Sequence, residues 1–422
     1  MSNKLKGLMV ILDGLGDGSI AGFGGKTPLE AAYTPNMDAL VRDGMGALID
    51  PLYQGVPVGT HTGTGILLGI PPAKAAKLHR GPVEAAGIGV PIELGDILIR
   101  CNFATLVENG ESFRIIDRRA GRISEGTQEL ARELANVDLG SGISATLIPA
   151  TQHRAVLKLS GEDLSAAISD TDPGGLFIDR GSIRSAPQEP GTAAAKTAQA
   201  VNRFMYLAHD HLNTHPVNRL RQDSGLLAAN GILCRSAGKS AQSVSLIKRF
   251  GLKGCVIAGE STVIGLAKIL KFQVVSEPGF TSSPNTDLKA KVAAARAALD
   301  ENEIVFMHVK GPDICAHDKN PEGKKALLEA IDEALAPLLG EEMVIAVTGD
   351  HSTDSNTGNH TGDPVPSLLY SPLGRRDQCS RFGESYCAGG GLGRVSATGF
   401  LCSMLDAMGF MHKFKPGESH LF

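Results

Sequence analysis

Aspartate and histidine residues recur shortly after three apolar segments of the sequence. The segments MVIL, IVFMHV and MVIAVT are followed by Asp13, Asp313, His317, Asp350, His351 and His360. Asp313 and His317 are four residues apart, so one helical turn places both on the same face. Each residue alone is as well explained by a helix cap or a polar turn. Together, the three carboxylates and three imidazoles favour a site for two divalent cations, with manganese, zinc or magnesium as the expected metals.

The stretch VPVGTHTGTGILLGI, residues 56–70, raises the question of a nucleophile. It holds three threonines and one histidine in a glycine-rich turn before an apolar run. One interpretation is a tight turn that leads into a buried helix. The other is that Thr60 is a nucleophile whose hydroxyl is activated because a cation lowers its pKa. Two adjacent cations stabilise phosphoryl transfer, which would connect Thr60 to the aspartate and histidine set.

Strand-like and helix-like segments alternate in the second half of the chain. The strand-like segments are NGILCRSAG, KGCVIAG, FQVVSE, IVFMHVKG and MVIAVTGD. This alternation predicts parallel βαβ units with helices on both faces of a sheet, and a ligand site at the carboxyl ends of the strands. KGLMVILDGLGD predicts a further core strand, and residues 80–106 are interpreted as turns and strands.

Composition narrows the class of protein. Of the 422 residues, 42% are apolar and 20% are charged, which is ordinary for a globular chain long enough for two or three domains. The net charge of −4 argues against non-specific nucleic-acid binding. Neither a membrane span nor a signal peptide is expected, so the predicted location is the cytoplasm. The seven cysteines match no zinc pattern and are predicted to be reduced thiols.

A set of motifs along almost the whole chain resembles one known family. The motifs are ILDGLGD, TPLEAAYTPNMDAL, RGPVEAAGIGV, RCNFATL, IIDRRAGR, HVKGPDICAHD, VTGDHST, HTGDPVP and SYCAGGGLGR. They are similar to those of the archaeal-type, cofactor-independent phosphoglycerate mutases of the alkaline phosphatase superfamily. The resemblance implies an α/β fold with an alkaline-phosphatase-like, doubly wound, mostly parallel sheet and an inserted smaller α/β lobe. It places the metal-binding core at residues 1–108 and 224–422, and the inserted substrate-binding lobe at 109–223.

The resemblance also implies roles for individual residues. The ligands of one metal would be Asp13, Thr60, Asp350 and His351. The ligands of the other metal would be Asp313, His317 and His360. The anionic substrate would be bound by Arg80, Arg118, Arg119, Arg122, His153 and Arg154, since the planar guanidinium binds carboxylate and phosphate bidentately. Without the resemblance, a solvated basic turn explains these arginines as well. No bisphosphoglycerate or nucleotide cofactor is expected, and the implied substrate is a small phosphate or phosphonate.

The chain departs from the family pattern around the nucleophile. Where the family usually reads Gly-Ser-Asp-Thr-Ala-His-Leu, residues 59–65 read Gly-Thr-His-Thr-Gly-Thr-Gly. Thr60 therefore replaces the serine, His61 the acid and Thr64 the later histidine, and His61 is a candidate replacement acid–base group. Three functions stay open. They are a phosphoglycerate mutase that acts through phospho-Thr60, a phosphodiester, nucleotide or phosphonate transferase or hydrolase with the same metals, and a non-catalytic binding protein.

Overall fold

The structure is a computed structural model that describes residues 4–110, 112–174, 183–239, 245–413 and 415. The chain divides into two compact units. Unit 1 comprises Met1–Lys77 and Gln242–Phe422, and unit 2 comprises Leu78–Ala241. Each unit has its own sheet and is described separately.

The elements of the two units follow one another along the chain. The first part of unit 1 contains β1 (Gly7–Leu12), α1 (Pro28–Ala31), α2 (Pro35–Arg42), β2 (Met45–Asp50), α3 (Thr60–Leu67) and α4 (Pro72–Ala75). Unit 2 contains α5 (Arg80–Gly87), β3 (Ile97–Glu108), β4 (Phe113–Asp117), α6 (Thr127–Arg132), β5 (Val137–Asp138), β6 (Ser144–Pro149), β7 (Arg154–Ser160), α7 (Thr192–Asn213), α8 (Pro216–Asp223) and β8 (Gly231–Lys239).

The second part of unit 1 completes its sheet and covers it with helices. It contains α9 (Leu246–Arg249), β9 (Gly254–Ile257), α10 (Ser261–Ile269), β10 (Gln273–Val275), α11 (Leu288–Ala298), β11 (Ile304–Val309), α12 (Gly311–His317) and α13 (Pro321–Leu335). It continues with β12 (Val344–Thr348), β13 (Ser352–Asp354), β14 (Asn359–Thr361), β15 (Val365–Tyr370), α14 (Glu384–Cys387), β16 (Gly393–Ser396) and α15 (Ala397–Ala407). Short 3-10 helices lie at Ala21–Phe23 and Ala336–Leu338.

The main sheet of unit 1 has the strand order β10-β9-β11-β1-β12-β15-β2-β16. The strands from β10 to β12 are parallel, and β15 runs antiparallel to both of its neighbours. Every residue of β1, β11 and β12 is buried. Continuous apolar runs of this kind are typical of strands covered on both faces, so the predicted mainly parallel α/β sheet is confirmed.

The register of the three central strands aligns their carboxyl ends. Leu12 of β1 pairs with Val309 of β11, and Ile11 pairs with Thr348 of β12. The residues that directly follow these strands therefore emerge at one edge of the sheet. This edge is where ligands bind in open α/β sheets.

Unit 2 is built on an antiparallel sheet with the order β4-β3-β7-β6-β5, and β8 pairs with β3. The helix α7 packs Val201 and Phe204 into a core that also contains Phe103 of β3 and Phe113 of β4. Two interpretations made from the sequence need correction here. β8 is antiparallel to β3 rather than part of the parallel alternation, and α5 is a helix where turns and strands were expected.

The bounds of unit 2 differ from those predicted for the inserted lobe. The lobe was expected at 109–223, whereas unit 2 runs from Leu78 to Ala241. The difference arises because β3 and β8 pair with each other, and their shared hydrogen bonds place both strands in the smaller sheet. A strand belongs to the domain of its pairing partners, which the local sequence does not specify.

Two further features concern membrane-spanning helices and the cysteine thiols. Among the described residues, no helix has the length and apolar character needed to cross a membrane. All seven cysteines are free thiols, and all but Cys402 are buried.

Candidate metal and nucleophile site

The predicted acidic residues lie at the carboxyl ends of the central strands. Asp13 directly follows β1, Asp350 and His351 follow β12, and Asp313 lies in the first turn of α12 after β11. Asp13, Asp350 and His351 are fully buried, and Asp313 is nearly so. Burying a carboxylate costs free energy unless nearby positive charges or bound metal ions compensate it. The edge of the sheet is therefore a specialised site.

The first cluster consists of Asp13, Asp350 and His351. One ligand atom from each lies within 4.8 Å of the others. Nε2 of His351 is 3.2 Å from Oδ1 of Asp13 and 3.8 Å from Oδ1 of Asp350. Three convergent oxygen and nitrogen donors at this spacing fit a divalent cation.

The second cluster consists of Asp313, His317 and His360. Nε2 of His317 is 3.4 Å from Oδ2 of Asp313, and Nε2 of His360 is 3.5 Å from Oδ1 of the same carboxylate. The two imidazole Nε2 atoms are 3.1 Å apart. His351 also lies close enough to Asp313 and His360 to complete a ligand group with them, so it borders both clusters. His317 is exposed, which leaves this side of the site open to solvent.

The Nδ1 atoms of the three histidines have acceptors outside the clusters. Nδ1 of His317 lies 2.7 Å from the Gly358 carbonyl oxygen, and Nδ1 of His360 lies 2.7 Å from that of Val58. Nδ1 of His351 is 3.1 Å from the hydroxyl of Thr353. Carbonyl oxygens only accept, so Nδ1 of His317 and His360 carries the proton. In the neutral rings the Nε2 lone pairs then face the second cluster, as metal coordination requires.

Thr60 is the first residue of α3 and lies beside the first cluster. Its hydroxyl oxygen is 3.4 Å from Oδ1 of Asp13 and 3.5 Å from Nε2 of His351. Gly59 precedes it in extended conformation, so the hydroxyl projects from the start of the helix. The two interpretations of this stretch are therefore compatible, because the turn leads into a buried helix and also brings a hydroxyl to the first cluster.

Lys310 is a central residue that the sequence analysis missed. Its Nζ donates hydrogen bonds to Oδ1 of Asp13 at 3.0 Å, to the Thr60 hydroxyl at 3.0 Å and to Oδ2 of Asp313 at 2.6 Å. His308 was missed as well, and its Nε2 lies 3.0 Å from Oδ2 of Asp13. The available signal was position, since Lys310 directly follows β11 and precedes Asp313 by three residues.

The protonation states of the site are set by burial and by these close charges. Burial alone would raise the pKa of Asp13, but Lys310 and hydrogen bonds from His308 and His351 hold it below its ordinary value. Burial and the charge of Asp13 raise the pKa of Asp350. Burial would lower the pKa of His351, but Asp350 and Asp13 raise it to about 9. Without cations the site thus keeps a proton on His351, which metal binding must displace.

Comparison with known proteins agrees with this geometry. A protein-family model described as "Metalloenzyme superfamily" matches residues 5–407 of this chain. The 2,3-bisphosphoglycerate-independent phosphoglycerate mutase 1 of Archaeoglobus fulgidus is 39% identical over 412 residues, covering 96% of this chain and 99% of that protein. The 2,3-bisphosphoglycerate-independent phosphoglycerate mutase of Methanopyrus kandleri is 39% identical over 414 residues, covering 96% and 97%.

The chain belongs to the phosphoglycerate mutase family of the metalloenzyme superfamily. Two solved structures share the fold of this family member. The PH0037 protein from Pyrococcus horikoshii has a TM-score of 0.81 at 31% identity, covering 98% of this chain and 99% of its own. The cofactor-independent phosphoglycerate mutase from Thermoplasma acidophilum has a TM-score of 0.66 at 31% identity, covering 96% and 100%. The family and the two ligand clusters together identify a metal-dependent enzyme.

Within this family member, His61 follows Thr60 directly in sequence, but its ring contacts a different hydroxyl. Nε2 of His61 is 3.3 Å from the hydroxyl of Thr62. The Thr60 hydroxyl is instead contacted by Lys310, Asp13 and His351. An acid–base role for His61 stays a prediction.

The predicted arginines of the substrate pocket lie in unit 2, and two of them form ion pairs there. Nε and Nη2 of Arg118 bond both oxygens of the buried Asp172 at 2.6 and 2.9 Å. Nη2 of Arg80 lies 2.8 Å from Oε1 of Glu84, which also lies 2.8 Å from Nε of Arg100. Both predicted residues therefore have a carboxylate partner within their own unit.

Three neighbouring arginines of unit 2, Arg119, Arg122 and Arg154, place their positive charges close to His153. Partial burial and the charges of Arg118, Arg122 and Arg154 lower the pKa of Arg119. Burial lowers the pKa of His153 to about 4, with smaller contributions from the charges of Arg154, Arg119, Arg122 and Arg118. A group of neighbouring positive charges is a favourable environment for an anion.

The turn that carries these arginines has an unusual backbone. Ala120, Gly121 and Arg122 all have φ between 47° and 67°, and Gln152, which precedes His153, has a φ of 56°. Non-glycine residues in the left-handed region are energetically costly, and such positions often occur at binding sites. The strain therefore lies at the same turns as the group of cations.

Proposed function

We propose that the chain interconverts 2-phosphoglycerate and 3-phosphoglycerate through a phosphorylated Thr60, with two bound divalent cations. The observation that carries the proposal is the position of the Thr60 hydroxyl, 3.0 Å from Lys310 Nζ and within 3.5 Å of Asp13 and His351. The names of the Archaeoglobus fulgidus and Methanopyrus kandleri relatives support the same substrate.

Seven residues are proposed as metal ligands. One cation would be held by Asp13, Thr60, Asp350 and His351, and the other by Asp313, His317 and His360. The mixture of carboxylate oxygens and imidazole nitrogens suits manganese, zinc or magnesium. When bound, the cations lower the pKa of the nucleophile and neutralise charge on the phosphoryl group.

The protein residues supply the remaining chemistry. The deprotonated Thr60 oxygen forms a bond to phosphorus while the bond from phosphorus to the substrate oxygen breaks. The Lys310 ammonium donates to oxygens that gain charge. We propose that His61 protonates the departing glycerate oxygen and then takes a proton from the other hydroxyl, as that hydroxyl attacks phospho-Thr60. The two proton transfers balance, and Thr60 is regenerated.

We propose that unit 2 is the substrate-binding lobe. The positive charges of Arg122 and Arg154 close to Arg119 support this role, since neighbouring guanidinium groups attract a carboxylate or phosphate. Arg80 and Arg118 form ion pairs with Glu84 and Asp172, which stabilise the structure of unit 2. His153 is expected to be neutral at pH 7, because burial and the arginines lower its pKa to about 4.

A second candidate is a phosphodiester, nucleotide or phosphonate transferase or hydrolase with the same metals and nucleophile. It is favoured by one observation, the presence of Thr60, His61 and Thr64 where the family pattern has serine, aspartate and histidine. The non-catalytic alternative is disfavoured because a binding protein would have no need to keep both ligand clusters.

Phosphorus NMR of the manganese-loaded protein with 3-phosphoglycerate tests the proposal. The expected result is the appearance of 2-phosphoglycerate without added bisphosphoglycerate. Thr60→Ser should retain turnover and Thr60→Ala should abolish it, while mass spectrometry of trapped protein should find a phosphoryl group on Thr60. An active Thr60→Ala variant would overturn the assignment of the nucleophile. If the protein does not convert 3-phosphoglycerate but turns over a phosphodiester or a phosphonate, the second candidate is favoured.

A further inference from the structure

The first turn of α3 rests directly on the backbone of Asp350. A Cβ atom added to Gly63 would lie 1.9 Å from the Asp350 carbonyl oxygen and 2.8 Å from its carbonyl carbon. No L-residue with a side chain fits at this distance from a backbone atom. The glycine at this position, where the family pattern has alanine, therefore allows α3 to approach Asp350 closely.

Thr64 uses this close approach to bond the carboxylate. The residue is fully buried, and its hydroxyl donates to Oδ2 of Asp350 at 2.8 Å. Oδ1 of Asp350 accepts from the Gly14 amide at 3.2 Å and lies 3.8 Å from Nε2 of His351. The two carboxylate oxygens therefore differ, with Oδ2 facing the helix and Oδ1 facing the first cluster.

Thr64 also belongs to the same helical turn as the nucleophile. It follows Thr60 by four residues in α3, so the two side chains lie on one face of the helix. A single short helix thereby carries the Thr60 hydroxyl and the donor that orients Asp350. The predicted roles of Asp13 and His351 as metal ligands do not involve the hydrogen bond from Thr64 to Asp350.

We propose that Thr64 is a positioning residue, which holds Oδ2 of Asp350 so that the carboxylate binds the first cation through Oδ1 alone. The inference rests on the proposed function, because it takes Asp350 to be a metal ligand. Through Thr64, occupancy of the first metal position is coupled to the placement of α3 and hence of Thr60.

The test is the manganese affinity of Thr64→Val and Thr64→Ser, measured by calorimetry on the full chain. Valine keeps the shape and removes the donor, so the affinity of one of the two ions should fall about 10- to 100-fold, as for other outer-shell partners of metal ligands. Serine keeps the donor and should restore most of that affinity. The second ion, assigned to Asp313, His317 and His360, serves as an internal reference and should bind as in the wild type.

A matched control is Thr197→Val, which removes another fully buried helical hydroxyl, from α7 of unit 2. The melting temperature of the metal-free protein should fall similarly in the two valine variants, whereas only Thr64→Val should lose metal affinity. Wild-type manganese binding by Thr64→Val, or equally weak binding by Thr64→Val and Thr64→Ser, would overturn the inference.

Asp350→Asn separates this inference from the proposed function. If it binds both ions as tightly as the wild type, Asp350 is not a ligand and the assigned metal site fails. If it loses one ion while Thr64→Val loses none, the ligand assignment stands and only the role of Thr64 is rejected.

Discussion

At the scale of single residues, Lys310 is the side chain around which the site is arranged. Its ammonium joins the carboxylates of Asp13 and Asp313 to the Thr60 hydroxyl. Burial would lower its pKa, but the two carboxylates raise it above the ordinary value. The residue therefore keeps its positive charge at neutral pH and competes with cations for the same oxygens.

We expect Lys310→Met to change metal affinity and turnover in opposite directions. Removing the ammonium leaves Asp13 and Asp313 without their buried cation, so manganese should bind more tightly. Turnover should fall by roughly 100-fold or more, because a preorganised donor to the phosphoryl oxygens is lost. Calorimetry and steady-state kinetics measure the two effects. Parallel losses of affinity and turnover would show instead that Lys310 only maintains the fold of the site.

At the scale of elements, the turn between β4 and α6 places two adjacent arginines in different surroundings. Arg118 forms a bidentate pair with Asp172, whose side chain is 1% exposed. Arg119 is more exposed than Arg118, and partial burial together with like charges lowers its pKa. One arginine is therefore suited to hold the turn and the other to bind an anion.

Alanine variants of this pair should separate stability from substrate binding. Arg118→Ala removes the bidentate ion pair from a buried carboxylate, which keeps the more distant Arg235 at 3.9 Å and the neutral donors Asn102 and Gly174. The unfolding free energy should therefore fall by about 3 kcal/mol. Arg119→Ala should leave the melting temperature close to the wild type and raise KM for the anionic substrate. A normal KM in Arg119→Ala would remove this arginine from the proposed substrate pocket.

His153 should make the stability of unit 2 depend on pH. Its folded-state pKa of about 4 lies below the ordinary value of 6.5, because burial and nearby arginines oppose its charge. The contribution of the neutral ring to the free energy of unfolding is fully present above pH 6.5, and it is lost as the pH falls toward 4. The loss should reach about 3 kcal/mol near pH 4. Denaturant melts of the wild type and of His153→Gln test this, and an equal decline in both would exclude His153 as the cause.

At the scale of the whole molecule, all seven proposed ligands come from unit 1, whereas the arginine group belongs to unit 2. Asp13, Asp313 and Asp350 bring three carboxylates to one buried edge of the sheet of unit 1. Binding of cations to the native state should therefore stabilise unit 1 by an amount that rises with the logarithm of the free metal concentration once this exceeds Kd.

Chelation should have a local signature in hydrogen exchange. Removing the metals should increase exchange in α3, α12 and the β13–β14 hairpin, which carry Thr60, Asp313, His317 and His360, while the strands of unit 2 keep their protection. Readdition of manganese should reverse the change. Equal deprotection of the sheet in unit 2 would contradict the assignment of the metals to unit 1 alone.

The sequence by itself determined the buried strands and the residues that follow them. Apolar runs such as MVIL and MVIAVT specify strands covered on both faces, and parallel strands align their carboxyl ends, so Asp13 and Asp350 could be placed together without coordinates. The four-residue spacing of Asp313 and His317 specified a shared helical face, which α12 confirms.

Only the tertiary structure decided which strands share a sheet and which side chains touch. Near its start β8 has the buried apolar residues Ile232, Leu233 and Cys234, as a strand of the parallel sheet would, yet its partner is β3. Pairing depends on contacts distant in sequence. The bonds of Lys310 to Thr60 and of Thr64 to Asp350 also join residues far apart in the chain. Local sequence specifies the conformation of a segment, but these contacts arise only when separate segments pack at hydrogen-bonding distance.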